Sequence, residues 1–118
     1  MSDITTIEKS NEMVVHQFIA AANRFDTPAV LDLFEEDAVI DDVSVGEKFE
    51  RTAGIKKYIV TFFVGYHTST ELVSLEHKGL GKILAKVDFT GDFGHETGGL
   101  DIRFNEAGLI SRIDAYLD

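Results

Sequence analysis

The chain has 118 residues, 44% of them hydrophobic and nine of them Phe, enough apolar material for one folded core. Its formal net charge is −10, and the 11 basic residues are scattered, with Lys56–Lys57 the one adjacent pair. Binding to nucleic acid or to an anionic membrane surface needs lysines and arginines gathered against phosphates, so both partner classes are disfavoured. The absence of cysteine excludes a disulfide framework, a thiolate nucleophile and Cys-based zinc or iron–sulfur sites.

The first elements read as helix. Thr5-x-x-Glu8 has capping-box spacing, and Val14, Phe18, Ala21, Ala22 and Phe25 then recur at helical intervals. Asp26-Thr27-Pro28 stops this helix and starts another, with Thr27 as N-cap and Pro28 at the first helical position. The second helix runs through Val30, Leu31, Leu33 and Phe34 and ends in Glu35-Glu36-Asp37. A β-rich stretch, Ala38–Val43, leads into a polar loop. A third helix follows over Thr52–Tyr66, with Ile55, Tyr58, Ile59, Phe62 and Tyr66 as its apolar stripe.

The remainder reads as strands near 68–77, 81–91, 97–105 and 108–117, separated by glycine-bearing turns. With Glu106-Ala107 as the tip of the last hairpin, Leu100 faces Ile113, Ile102 faces Ser111 and Phe104 faces Leu109. Leu100, Ile102, Phe104, Ile113, Ala115 and Leu117 then share an apolar face, and Asp101, Arg103, Arg112, Asp114 and Tyr116 share the polar one. The order predicts an α+β domain spanning residues 1–118, an antiparallel-rich sheet with helices on one face. No charged-then-apolar leader opens the chain and no apolar run approaches the roughly 18–20 residues of a bilayer span, so the expected location is cytoplasmic.

Several strings resemble the SnoaL-like branch of the nuclear-transport-factor-2-like superfamily, with bacterial ketosteroid isomerase as the nearest comparison. They are Phe18-Ile19 through Phe25-Asp26, Leu33–Asp42, Arg103-Phe104-Asn105-x-x-Gly108-Leu109-Ile110 and the closing Ile113-Asp114-Ala115-Tyr116. The resemblance covers nearly the whole chain and implies a cone-shaped roll, a curved, mostly antiparallel sheet wrapped by three N-terminal helices around an apolar interior. It also implies homodimerisation, here through the outer sheet face. The strings speak for the fold more than for the chemistry, since one fold hosts many reactions.

Carried over residue by residue, the isomerase's general base falls on Asp42, its oxyanion-hole Tyr on Phe18 and its protonated oxyanion-hole Asp on Leu100. Loss of one oxyanion donor typically costs about 10²–10³ in rate, so a ketosteroid isomerase in the ordinary sense is disfavoured while a base-only reaction stays open. Asp42 is the candidate catalytic residue, a carboxylate whose pKa an apolar pocket would raise. Strand alternation does not choose between Asp41 and Asp42, because Val39 and Val43 share a face with Asp41. Phe18, Phe34, Tyr58, Phe62, Phe89, Leu100, Ile102 and Ile113 are the candidate pocket walls.

Asp101, Arg103 and Asp114 invite comparison with the Asp–Arg–Asp set of limonene epoxide hydrolase, but they fall on the polar face, where Asp101 is expected to oppose Arg112. His16, His67, His77 and His95 lack metal-ligand spacing, so no metal is expected; His67 and His95 are candidates for the pocket rim. Two functions remain. One is a cofactor-independent isomerase, cyclase or dehydratase acting on a small apolar molecule through Asp42, and the other is a non-catalytic ligand-binding or dimeric interaction domain.

Overall fold

A computed structural model describes residues 4–118. The element order is α1 (Ile4–Asn23), α2 (Thr27–Leu31), β1 (Phe34–Asp42), β2 (Glu47–Glu50), α3 (Arg51–Ile59), a π-helical turn (Val60–Val64), β3 (Ser69–Gly79), β4 (Lys82–Gly91), β5 (Gly94–Phe104) and β6 (Ile110–Leu117). The strands form one mixed sheet in the order β2-β1-β6-β5-β4-β3. Only β1 and β6 run parallel among the described pairs. The third helix follows two strands, the first from the expected β-rich stretch and the second from the stretch expected as a loop. No helix among the described residues is long and apolar enough to cross a membrane.

Helix α1 buries Asn11, Val15, Phe18 and Ala22, a stripe at spacings of four, three and four. Val15 rather than Val14 is the fully buried valine, and Phe25 lies beyond the helix end at 40% exposure. Thr5 sits inside α1, which already includes Ile4, so it is not the cap. For α2 the N-cap is Asp26, not Thr27: the Asp26 carboxylate accepts from the Ala29 amide at 3.2 Å, and an Asp oxygen reaches an N3 amide readily.

Helix α2 stops at Leu31, and Phe34 through Asp37 belong to β1 instead. The parallel partner decides this. Phe34 pairs with Ile110, and the Ile110 amide donates to the Leu33 carbonyl at 2.8 Å, a long-range ladder that local propensity does not register. Strand β2 lies within the stretch expected to be a polar loop, pairing Phe49 against Ile40.

The last hairpin pairs Leu100 with Ala115, Ile102 with Ile113 and Arg103 with Arg112, two residues out from the expected register. Asn105 is the cause. Its side-chain oxygen accepts from the Ala107 and Leu109 amides, holding a wider loop, and a bulge follows between Arg103 and Phe104. A two-residue shift preserves the faces, so Leu100, Ile102, Ile113 and Ala115 remain buried. Asp101 faces Asp114, not Arg112. Arg112 reaches Asp114 at 2.9 Å and Asp41 at 3.2 Å on the outer face, instead of Asp101.

The core lies between the helices and the inner sheet face. Ile40, Ile55, Ile59, Ile83, Ile102, Ile110 and Ile113 are essentially sealed from solvent there.

Candidate functional site

Strand β1 delivers Asp42 to the inner side of the sheet. Ala38, Ile40 and Asp42 alternate inward while Val39 and Asp41 turn out. Asp42 is 8% exposed. The chain then turns sharply, with the Val45 and Gly46 amides donating to the Asp42 carbonyl and Gly46 at φ 69°. This turn folds Ser44 back onto the Asp42 side chain, where its amide donates to Oδ1 at 2.9 Å and its hydroxyl at 2.6 Å.

A third donor comes from across the fold. The Tyr58 hydroxyl, on the inward face of α3, donates to Asp42 Oδ2 at 2.6 Å. Burial pushes the Tyr58 hydroxyl well above its ordinary value, and the adjacent Asp42 charge and hydrogen bond push it the same way. Tyr58 therefore holds its proton and serves as a donor to a carboxylate acceptor.

This pair lines a pocket of about 340 Å³. Asp42, Ser44 and Val45 supply one wall, and Phe89, Phe93 and Glu96 of the β4–β5 hairpin supply another, with Leu117 at the end of β6. The third wall follows from the π-helical turn. An α-helix separates consecutive side chains by roughly 100°, whereas the wider turn, closed by Gly65 N–H donating to the Val60 carbonyl at 2.8 Å, presents both Phe62 and Phe63 to the pocket. Tyr58, Tyr66 and Thr68 complete that wall. The expected third helix to Tyr66 is thus an α-helix only to Ile59.

The rings run as a continuous chain. Centroids of Phe89 and Phe63 are 6.2 Å apart, Phe63 and Tyr58 5.9 Å, Tyr58 and Phe62 5.2 Å, Phe62 and Tyr66 6.2 Å, and Tyr66 and Phe93 6.2 Å. Val45, Tyr66, Phe93 and Leu117 are each 40–45% exposed, so the mouth as well as the interior is apolar. Ser44 and Tyr58 direct their hydroxyls at Asp42, and the Thr68 hydroxyl donates to the Phe62 carbonyl at 2.7 Å. The Tyr66 hydroxyl has no hydrogen-bond partner among the described residues.

Of the residues singled out from sequence, Asp42, Tyr58, Phe62 and Phe89 meet at this pocket. Phe18, Phe34, Leu100, Ile102 and Ile113 do not line it; they are packed in the closed core, where Phe18 stands edge-on to Phe34 and Phe63. Side chains of this size fill the inner end of the fold, and the open space is left toward the β4–β5 hairpin. Ser44, Tyr66, Phe93 and Glu96 were not among the sequence candidates, and their placement depends on a turn, a π-helical segment and a hairpin tip. His67 and His95 lie off the pocket. His67 pairs with Asp92 at 2.9 Å and His95 with Asp88 at 2.5 Å. His77 pairs with Glu12 at 2.6 Å, and His16 is exposed.

No family model and no curated protein matches this sequence. Solved structures do. The epoxide hydrolase/cyclase-like enzyme SalBIII, which acts in pyran ring formation in polyether salinomycin, superposes with TM-score 0.83 at 16% identity, over 94% of this chain and 92% of that one. A Mycobacterium tuberculosis protein in complex with estradiol-17β-hemisuccinate gives TM-score 0.81 at 17% identity, over 92% and 94% of the two chains. An NTF-2 like protein of unknown function from Burkholderia xenovorans gives 0.82 at 13% identity, over 95% and 85%. The chain has the nuclear-transport-factor-2-like fold.

Proposed function

We propose that the chain binds a small apolar molecule in the aromatic pocket and that Asp42 acts there as a proton acceptor, in a cofactor-independent reaction of the isomerase, cyclase or dehydratase kind. The observation that carries this reading is a buried carboxylate, fixed by three hydrogen bonds, in a cleft walled mainly by aromatic and aliphatic side chains. The bound steroid of the mycobacterial structure and the ring-forming role of SalBIII support the ligand class.

In proton abstraction beside a carbonyl, the substrate C–H bond breaks, the proton moves to Asp42, and the electron pair passes to the carbonyl oxygen. Tyr58 and Ser44 position the carboxylate. Tyr66 lines the same pocket, and its hydroxyl, without a hydrogen-bond partner among the described residues, is the donor proposed for the oxygen that gains charge. A cytoplasmic location belongs to the same reading, as does a homodimer joined through the outer sheet face, which is supported by the partly exposed Arg112, Asp114 and Tyr116 on that face.

A second reading, a binding module without turnover, draws on a different observation. Phe18 and Leu100 are apolar and buried, so the positions implied as oxyanion donors supply none. A thermal-shift screen of steroids, polyketide-like aromatics and terpenoid epoxides would find the ligand, and Asp42→Asn would then be assayed on each hit. Undiminished turnover in Asp42→Asn removes Asp42 from the mechanism, and binding without turnover by the unaltered protein selects the binding module.

A further inference from the structure

If the pocket holds a small molecule, as proposed above, its lining also constrains that molecule's charge. Asp42 has hydrogen-bond donors but, among the described residues, no cationic partner. All three donors are neutral: the Ser44 amide, the Ser44 hydroxyl and the Tyr58 hydroxyl. Among the described residues no Lys, Arg or His lines the pocket. Removal of a carboxylate from water without a counter-charge is costly, and hydrogen bonds from neutral groups offset only part of that cost.

Three further features point the same way. The exposed Glu96 adds a second acidic side chain to the lining, and it makes no ion pair among the described residues. The rings of Phe63, Tyr58, Phe62, Tyr66 and Phe93 follow one another at 5.2–6.2 Å, and an aromatic face is the negative part of the ring's charge distribution. The whole chain carries a net charge of −10, so its field draws cations and repels anions.

We infer that the pocket selects an apolar molecule bearing a protonated amine, with the ammonium seated between Asp42 and the Tyr58–Phe62 rings and the hydrocarbon body against Phe63 and Phe89. An ammonium gives Asp42 its missing counter-charge and gives the rings a cation to face. A carboxylate-bearing ligand of the same shape meets two acidic side chains and, among the described lining residues, no basic one.

Three naphthalene derivatives of matched size test this: naphthylmethylamine, naphthylmethanol and naphthoate, each titrated by calorimetry at about 0.15 M salt, where long-range surface charge is screened. The amine is expected to bind about tenfold tighter than the alcohol, and the naphthoate weakest. Asp42→Asn should erase the difference between amine and alcohol. Equal affinity of alcohol and amine for the unaltered protein overturns the inference and leaves the apolar pocket standing. A preference that survives Asp42→Asn also overturns it, being the general pull of an acidic surface. Failure of all three to bind removes the inference together with the pocket reading. A measurement on the unaltered protein guards against a variant that does not fold. Nuclear Overhauser contacts from the methylene beside the ammonium should reach the Tyr58 and Phe62 rings, and contacts to Val45 and Phe93 at the mouth instead would overturn the seating.

Discussion

The Tyr58 hydroxyl donates to Asp42 Oδ2 across 2.6 Å, tying the inward face of α3 to the last residue of β1. Both partners are more than 90% buried. Tyr58→Phe keeps the ring and its contacts with Phe49, Phe62 and Phe63 but removes one donor from a buried carboxylate. A hydrogen bond to a charged group in such a setting is worth about 2 kcal/mol. Urea denaturation of Tyr58→Phe should show a stability loss of that order with an unchanged m-value. A loss near zero would mean that the bond holds nothing in place.

The same bond sets an alkaline signature. Tyr58 is held well above 10.0 by burial first and by Asp42 second. Because the folded value is the higher one, the contribution of this group to stability is complete below the unfolded value near 10 and is lost as pH rises through the folded value. Ultraviolet titration should therefore show one of the three tyrosines ionising late, and Tyr58→Phe should delete that late component. An unchanged late component in Tyr58→Phe would contradict the assignment.

Much of the fold was legible because periodicity is local. The helical stripe through Phe18 and Ala22, the strand boundaries near the turn glycines and the inward face through Leu100, Ile102 and Ile113 all follow from side-chain spacing. What escaped depended on contacts distant in sequence. Phe34–Asp37 look helical until Ile110 pairs with them, and the hairpin register looks tight until Asn105 captures two loop amides. In the candidate site, Tyr58 stood out as an apolar-stripe residue, but nothing in a 16-residue separation says that its hydroxyl meets Asp42. The π-helical turn, which turns two consecutive phenylalanines inward, has no sequence period of its own.

His95 offers a near-neutral probe of the β4–β5 hairpin. The hydrogen bond and charge of Asp88 hold its imidazolium above the usual 6.5, with a smaller pull from Glu96. The pair is therefore fully present below 6.5 and is lost as pH rises through the higher folded value. Proton NMR should find His95 titrating above 6.5, and Asp88→Asn should bring it down. A midpoint at or below 6.5 in the unaltered protein would remove the Asp88 contact in solution. The His95 ring is exposed, so overall stability should hardly follow this titration.

Gly98 and Gly99 sit in β5 opposite Leu117 and Tyr116, and both exclude a side chain, for different reasons. At Gly98 a Cβ would run into backbone, the Tyr116 carbonyl and, at 3.1 Å, the Leu117 Cα. At Gly99 it would meet the Tyr116 ring and hydroxyl. A backbone obstacle cannot move without breaking the β5–β6 ladder, whereas a ring at a half-exposed position can be removed. Each alanine substitution should destabilise by about 1–3 kcal/mol, the range for an overpacked site. The two should part in a double-mutant cycle with Tyr116→Ala. Gly99→Ala should recover most of its loss in the Tyr116→Ala background, giving a coupling of about 1 kcal/mol or more, while Gly98→Ala should recover little. Equal recovery at both positions would mean that the ring, not the carbonyl, is the obstacle at Gly98. Because Leu117 lines the pocket beside Phe89, Gly98→Ala should also weaken ligand binding, and Gly99→Ala with Tyr116→Ala should not.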